Sequence, residues 1–134
     1  MNKITIYGIP NCDTVKKTTD WFRKNKVEFD FHDYKKEGIS KSKLQAWCRE
    51  AGWEKLLNKK STTWRNTDAA IQVSITNTSS AIALMLEQNS LIKRPVIETA
   101  QASGAKLTRE TFRDTLLKIG KFETASGRFC FQED

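Results

Sequence analysis

The sequence lacks the long apolar runs that mark membrane and secreted proteins. No run in its 134 residues approaches the roughly 20 apolar residues that a membrane-spanning helix needs. The N-terminal stretch MNKITIYG contains no hydrophobic run of signal-peptide length and leads directly into a predicted strand. We therefore expect a cytoplasmic protein without a membrane partner.

Histidine and cysteine are also scarce. His32 is the single histidine, and the three cysteines, Cys12, Cys48 and Cys130, lie far apart. Neither a close cysteine pair nor a histidine cluster offers the spacing of metal ligands, so we expect no metal site. A cysteine-histidine catalytic pair would have to use His32, which lies in a strand-like run. The sequence therefore argues against a histidine-assisted hydrolase.

Basic residues outnumber acidic residues by 23 to 16, which gives a formal net charge of +7. They form scattered pairs, in VKK, YKK, NKK and IKR, and no predicted helix carries a continuous basic stripe. No nucleic-acid-binding motif accompanies them, so we expect no nucleic-acid partner. A solvated basic surface and a surface that attracts a small anion both fit this pattern.

The beginning of the chain predicts a strand, a helix and a second strand. Residues 3–7 and 27–33 alternate apolar and polar side chains, as strands do. Between them, the turn sequence GIPN precedes a helix that is predicted to open at Cys12 with Asn11 as its N-cap. The predicted inner face of this helix consists of Val15, Thr18, Thr19 and Phe22.

Residues 40–90 predict a helical block. Ser40 is predicted to cap its first helix and Gly52 to end it. The apolar stripe of that helix consists of Leu44, Trp47, Cys48 and Ala51. A short helical turn is predicted at WEKLLN, a polar loop at residues 61–68, and a buried helix at SSAIALMLEQN.

The remaining residues return to strand patterns. RPVIE (94–98) and AKLT (105–108) predict two strands, Thr108 is predicted to begin a last helix, and RFCF gives a weak strand signal. The order β-α-β, helical insertion at about residues 40–90, and β-β-α is that of a thioredoxin-like fold. We therefore expect one α/β domain over residues 1–134 with a mixed central sheet, although ferredoxin-like and other small α/β folds share parts of this pattern.

Cys12 is the leading candidate for a reactive residue. A thiol reacts as its thiolate, and the unpaired N–H groups and partial positive charge of a helix start favour an anion there. Lys16, one turn further on, adds to that field. Because free cysteines are among the most buried residues, a purely structural role is the alternative, and it is the role that we prefer for Cys48 and Cys130.

A two-cysteine redox site is excluded at this loop. Position 15, where a Cys-x-x-Cys motif would need its second cysteine, is Val15. A monothiol must obtain its second thiol elsewhere, from a distant cysteine or from a soluble thiol such as glutathione.

Two separated motifs resemble the arsenate reductase (ArsC)/Spx family, in particular its single-cysteine, YffB-type branch. ITIYGIPNCDTVKK resembles that family's strand, loop and nucleophile, and SLIKRPVIE resembles the entry to its third strand. TTWR and ALMLEQNSLIKRP resemble its helical insert, so the resemblance covers about residues 1–119. It implies a thioredoxin-like fold and a thiol oxidoreductase.

The resemblance also implies a mechanism and a set of site residues. The Cys12 thiolate would attack an oxyanion such as arsenate, glutathione would act as co-substrate and resolve the adduct, and glutaredoxin would regenerate the thiol, with no bound cofactor. Arg94 and Arg109 match oxyanion-binding arginines, whose planar forks suit a tetrahedral oxyanion. Pro95 matches the proline that is cis in such folds, and Asn11 would help shape the site. A salt bridge to a carboxylate such as Asp13 is the alternative role of Arg94.

The sequence departs from the family after its Leu56-Leu57 pair. Arsenate reductases proper carry an arginine there, whereas this chain has Asn58, Lys59 and Lys60. Lys60 is the predicted replacement as an oxyanion-binding cation, although a lysine supplies charge without a bidentate fork. This difference weakens the case for arsenate reductase proper and leaves the broader assignment, an ArsC-like thiol oxidoreductase, intact.

The main alternative is an Spx-like regulator that binds the α subunit of RNA polymerase. Gly52 and the basic surface are compatible with it. However, redox-switch members of that branch carry Cys-x-x-Cys, and this chain has Val15 at the position of the second cysteine. A non-catalytic binding module on a thioredoxin-like scaffold is a third reading.

Overall fold

The computed structural model describes residues 4–99, 122–124 and 129–132. The chain divides into two compact units. The first, the sheet unit, comprises Met1–Asp33 and Arg94–Asp134, and the second, the helical unit, comprises Tyr34–Lys93. The assignment of both units to a single domain remains a prediction.

Within residues 4–33, 94–99, 122–124 and 129–132, the sheet unit forms a five-stranded mixed sheet with the order β2-β1-β3-β5-β4. β1 and β2 are parallel, and the other neighbouring pairs are antiparallel. The strands are β1 (Ile4–Gly8), β2 (Asp30–Asp33), β3 (Val96–Thr99), β4 (Phe122–Thr124) and β5 (Phe129–Gln132). The strand signal at RFCF is thus confirmed, whereas the predicted strand at 105–108 and the last helix from Thr108 lie outside the described residues.

Helix α1, Asp13–Lys24, joins β1 to β2 and covers one face of the sheet. Its buried residues are those predicted from the sequence: Val15, Thr18, Thr19 and Phe22. The two threonine hydroxyls donate to backbone carbonyls one turn earlier in the helix, which satisfies these buried polar groups. The apolar core beneath the helix consists of Ile4, Ile6, Phe22 and Ile97.

The second strand is shorter than the alternating pattern predicts. The prediction began it at residue 27, but β2 begins at Asp30. The reason is the end of α1, where Lys26 adopts a φ of 58° and the Val27 N–H donates to the Phe22 carbonyl at 2.9 Å. These are features of a helix end that reverses the chain, so the residues just after it follow the helix terminus rather than the sheet.

The helical unit contains six short helices and one turn of 3₁₀ helix among its described residues. They are α2 (Tyr34–Glu37), α3 (Lys41–Ala51), α4 (Trp53–Leu56), α5 (Thr62–Arg65), α6 (Ala69–Ser74), α7 (Thr78–Glu87) and the 3₁₀ turn Asn89–Leu91. The predicted α3 is confirmed, because Ser40 Oγ accepts a hydrogen bond from the Lys43 N–H and Gly52 follows the last turn.

The prediction of a polar loop at residues 61–68 was wrong. Thr62–Arg65 forms α5, because Ser61 Oγ accepts a hydrogen bond from the Trp64 N–H at 3.1 Å and so caps the helix. None of the residues of α5 is fully buried. The segment therefore lacks the apolar periodicity from which a helix is normally predicted.

No helix in the described ranges is long and apolar enough to cross a membrane.

Candidate functional site

Cys12 is positioned by a tight turn at the end of β1. The Cys12 N–H donates to the Ile9 carbonyl at 3.2 Å, so residues 9–12 close a four-residue turn. Pro10 occupies the second position of this turn, where its fixed φ is favourable. The side chain of Cys12 is partly exposed and its thiol is free.

Cys12 itself is the N-cap of α1. The Lys16 N–H donates to the Cys12 carbonyl at 2.9 Å, which is the first hydrogen bond of the helix, and Cys12 has the extended φ of −94° and ψ of 128° of a cap residue. The prediction that Asn11 is the N-cap was therefore wrong, because the turn uses Asn11 as its third residue. The thiol therefore belongs to the cap residue, whose side chain is the one next to the first free N–H groups of the helix.

No side-chain capping bond is formed at this end of the described α1, so its first N–H groups have no side-chain acceptor at the cap. The partial positive charge of the helix start therefore acts on an anion placed there. Lys16 is exposed one turn further on, where its ammonium adds to the positive field. Asp13, in the first turn, opposes it.

The Arg94–Pro95 peptide lies at the same end of the sheet as the Cys12 turn. β1 and β3 are antiparallel, and Tyr7 pairs with Val96. β1 ends one residue after Tyr7, at Gly8, and the Arg94–Pro95 peptide directly precedes Val96. Its bond is cis, the form that the family resemblance implies. The strand register thus brings together two motifs that are some eighty residues apart in the sequence.

A buried carboxylate occupies this end of the sheet as well. Asp33 pairs with Gly8 in the parallel register of β1 and β2, and it is only 9% exposed. Asp33 was not among the predicted site residues, although its spacing of two and four residues from Phe31 and Phe29 places it on the apolar side of the alternation. Asp33 and Arg94 both take part in polar or electrostatic interactions in the structure.

Gly8 allows α1 to lie close to the end of β1. A Cβ atom on Gly8 would lie 2.8 Å from Val15 Cγ2, closer than two carbon atoms can pack. Val15 is 1% exposed and belongs to the first turn after Cys12. Val15, which stands where a Cys-x-x-Cys motif would have its second cysteine, therefore packs against β1. This contact sets the distance between the start of α1 and the end of β1.

Cys48 lies in the helical unit and is 7% exposed on α3. Burial raises the pKa of the Cys48 thiol above that of a free cysteine, which opposes a reactive thiolate. Its buried place on the apolar stripe is as predicted. Cys130 pairs with Ile97 through the backbone of β5, and its predicted burial stays a prediction.

Lys60 lies in a hydrogen-bonded turn of the helical unit. Its N–H donates to Asn58 Oδ1 at 3.1 Å, while the Asn58 carbonyl accepts from Ser61 Oγ at 2.8 Å. The Lys60 side chain is exposed. Its predicted role as an oxyanion-binding cation stays a prediction, and Arg109 lies outside the described residues.

The described residues contain no group of three or more histidine, cysteine, aspartate or glutamate side chains that could hold a metal ion.

Comparisons with known proteins agree with this geometry. Residues 7–111 match the model of the ArsC family. An uncharacterized protein of Haemophilus influenzae is 44% identical over 94 residues, which are 70% of this chain and 82% of that protein. The regulatory protein MgsR of Bacillus subtilis is 24% identical over 124 residues, which are 91% of this chain and 94% of that protein.

Solved structures give the same result for the fold. A protein named YFFB has a TM-score of 0.68 and 46% identity, with 72% of this chain and 88% of that chain covered. An arsenate reductase (ArsC) related protein from Brucella melitensis has a TM-score of 0.60 and 39% identity, with 75% of this chain and 86% of that chain covered. The predicted thioredoxin-like fold is thus confirmed.

Proposed function

The chain belongs to the ArsC family, and from this premise we propose that it is a thiol oxidoreductase in which Cys12 reduces arsenate or a similar oxyanion. Glutathione is the proposed co-substrate and glutaredoxin the proposed partner. A cytoplasmic location is part of the proposal, since glutathione keeps thiols reduced there.

The observation that carries the proposal is the position of Cys12 as the N-cap of α1. Cys12 lies next to the free N–H groups of the helix start. The partial positive charge there favours both a thiolate and an incoming oxyanion. A merely structural cysteine gains nothing from that position, and Cys48 shows the contrast because it is buried on the stripe of a helix.

The proposed reaction begins with attack of the Cys12 thiolate on arsenic. A sulfur–arsenic bond forms and one arsenate oxygen leaves as water after protonation. The thiol of glutathione then supplies the second sulfur. The electron pair of the sulfur–arsenic bond passes to arsenic, which leaves as arsenite, while Cys12 and glutathione become joined as a mixed disulfide. The dithiol of glutaredoxin returns Cys12 to its reduced form by thiol–disulfide exchange.

Arg94 is the proposed oxyanion-binding residue of the sheet unit. It follows the helical unit in the chain and precedes the cis proline, at the end of the sheet that carries Cys12. A guanidinium group can donate two parallel hydrogen bonds to oxyanion oxygens and stabilise the charge that develops on them. Arg109 and Lys60 are proposed as further cations for the oxyanion, and Asn11 and Pro95 as residues that shape the loop around Cys12.

The test is arsenate reduction in the presence of glutathione and glutaredoxin. Wild-type protein should release arsenite, and Cys12→Ser should release none above background because serine cannot form the mixed disulfide. Cys48→Ser is the matched control, since it also removes one thiol and should keep wild-type turnover. Equal activity of wild type and Cys12→Ser would remove Cys12 from the mechanism.

A second candidate function is transcriptional regulation. It is favoured by the likeness to MgsR, which extends over 91% of this chain and is itself named a regulatory protein. In this alternative the chain would bind the α subunit of RNA polymerase without turning over a substrate. A pull-down with purified α subunit separates the two functions: stable binding together with no arsenite release supports the regulator, and turnover without binding supports the enzyme.

A further inference from the structure

The exposed side of α1 carries a group of cations close to Cys12. Lys16, Lys17 and Lys24 are exposed and lie outside the buried stripe of the helix, and we call these three residues the lysine face. Lys17 and Lys24 are seven residues apart, about two turns, so they lie on the same side of α1. With a rise of about 1.5 Å per residue, Lys17 lies about 7.5 Å and Lys24 about 18 Å along the helix axis from Cys12.

The ammonium groups of the lysine face are not used within the described part of the chain. Asp13 lies four residues before Lys17, and Asp20 lies four residues before Lys24, which is the spacing of a helical ion pair. Neither ion pair forms among the described residues. Asp20 instead contacts Arg23, at 3.4 Å between Oδ1 and the guanidinium group. The lysine charges therefore face solvent, where an external anion can reach them.

The charge pattern of this surface indicates what kind of anion fits it. Asp13 and Asp20 are exposed among the lysines, so the surface is mixed rather than uniformly basic. A nucleic-acid backbone is negative along its whole length, and both carboxylates would repel it. A folded protein can place acidic side chains opposite the lysines and other groups opposite the carboxylates. An acidic protein surface is therefore the better complement.

The distance from Cys12 indicates when such a protein would bind. A protein–protein interface covers about 800 Å² on each partner, which corresponds to a radius of about 16 Å. An interface centred on Cys12 would therefore include Lys16 and Lys17, with Lys24 at its rim. In the proposed reaction a protein has to reach Cys12 in one step, the reduction of the Cys12–glutathione disulfide.

We propose that the lysine face is the docking surface for the protein that reduces this disulfide, and that the partner is a dithiol protein with an acidic surface around its cysteines. The inference rests on the proposed function, which makes the disulfide an intermediate. A partner thiolate attacks the glutathione sulfur and releases Cys12, and the second partner thiol then displaces glutathione. The partner supplies two electrons and two protons and ends as a disulfide, while Cys12 and glutathione end as thiols.

The experiment measures the reduction of a Cys12–glutathione disulfide that has been prepared with oxidised glutathione, so it needs no arsenate. The reductants are two synthetic peptides that share one Cys-x-x-Cys core, with flanking glutamates in one and flanking lysines in the other. Each rate is divided by that of the same peptide with uncharged hydroxyethyl disulfide, because flanking charges alter the reactivity of the peptide thiols. At low salt the wild-type protein should prefer the glutamate peptide about fivefold. The preference should vanish at about 1 M salt, where the screening length is about 3 Å.

Single variants locate the effect on the helix. Lys17→Gln should slow the glutamate peptide about threefold and Lys24→Gln about twofold, since each removes one exposed ion pair with the partner. Lys26→Gln is the matched control, because Lys26 is also exposed but lies beyond the end of α1 that is opposite Cys12. It should keep the wild-type rate. An equal loss in Lys26→Gln would show that net charge sets the rate and would overturn the inference.

Uncharged dithiothreitol separates docking from the reactivity of the disulfide. It should reduce wild type and Lys17→Gln at the same rate, and a slower reaction of the variant would overturn the docking role. Charge reversal in Lys17→Glu should shift the preference toward the lysine peptide, and an unchanged preference would contradict the inference.

Two further outcomes are distinguishable. Tight binding of a single-stranded oligonucleotide that is lost in Lys17→Glu would assign the lysine face to nucleic acid and would overturn the inference. If wild-type protein does not reduce arsenate, the proposed substrate is refuted while the peptide rates still test the docking surface. If wild type reduces arsenate and the peptide rates do not depend on charge or salt, only this inference fails.

Discussion

Replacing Gly8 by alanine should displace the segment that carries Cys12. The new Cβ atom would lie 2.8 Å from Val15 Cγ2 and 3.4 Å from Val15 Cγ1. Carbon atoms in contact are about 3.5 Å or more apart. Because the new Cβ and Val15 Cγ2 would be only 2.8 Å apart, the start of α1 must move away from β1 by the difference, about 0.7 Å. Val15 cannot turn away easily, because it is buried and a valine in a helix has one strongly preferred rotamer.

Two effects on stability oppose each other in Gly8→Ala. Alanine restricts the unfolded chain, which stabilises the folded state by about 0.4–1 kcal/mol. Overpacking against Val15 costs about 1–3 kcal/mol. We therefore expect the free energy of unfolding in urea to fall by about 1–2 kcal/mol. Arsenate turnover should fall about tenfold or more, since a displacement approaching 1 Å can cost up to about 10²-fold.

Val15→Ala provides the matched control, because it removes the two Val15 γ-carbons at 2.8 and 3.4 Å and leaves only Val15 Cβ at 3.7 Å, an ordinary contact distance. The double variant Gly8→Ala/Val15→Ala should be more stable than the sum of the single changes predicts, with a coupling of about 0.5–3 kcal/mol. Urea unfolding and arsenate turnover of the four proteins complete the cycle. A Gly8→Ala protein with wild-type stability and turnover, or strictly additive effects, would refute the reasoning.

Three further predictions concern other parts of the molecule. Arg94→Lys keeps the charge but loses the planar fork, so kcat/KM for arsenate should fall about 10²-fold, as measured by steady-state kinetics. Burial raises the pKa of the Cys48 thiol, so the folded state keeps this proton to a higher pH than the unfolded state. The free energy of unfolding in urea should therefore fall as the pH rises above about 8.5, and Cys48→Ala should flatten that fall. Removal of residues 122–134 deletes β4 and β5 and leaves β3 without its β5 neighbour. We expect a lower urea midpoint and self-association through the open strand edge in size-exclusion chromatography; a urea midpoint and an elution volume equal to those of the full chain would contradict this.

The elements that the sequence predicted correctly are those whose burial is local and periodic. In α1 and α3 the apolar stripe coincides with the face that the structure buries. Helix α7 was found from a continuous apolar segment, and Asn77 caps it through the Ser80 N–H. For α3 and α7 both the hydrophobic pattern and the capping residue lie within the local sequence, whereas for α1 only the hydrophobic pattern does so.

The errors arose where a local hydrogen bond competed with a regular pattern. The turn that ends at Cys12 takes Asn11 away from the cap position. The reversed chain at Lys26 delays β2, and the hydroxyl of Ser61 creates α5 in a segment without an apolar stripe. The outcome at each place depends on a few hydrogen bonds that contribute about 1 kcal/mol each. The hydrophobic periodicity of a sequence contains no information about such bonds.

Part of the candidate site could be predicted, and part required the fold. The strand-turn-helix setting of Cys12 is local, and the cis Arg94–Pro95 peptide followed from the family resemblance. The burial of Asp33 could have been predicted from its spacing from Phe29 and Phe31. The close approach of Val15 to Gly8 depends on atoms that meet only after packing. The pairing of β5 with β3 lies beyond the family match, which ends at residue 111.

The central claim is that Cys12 is the thiol that carries the electrons from glutathione to the oxyanion. Its most direct test is mass spectrometry of the protein after turnover with arsenate and glutathione in the absence of glutaredoxin. The account predicts one glutathione per chain, joined to Cys12 as a mixed disulfide and absent from Cys48, with arsenite formed in the same amount. Arsenite formation with Cys12 unmodified, or with glutathione on another cysteine, would contradict it.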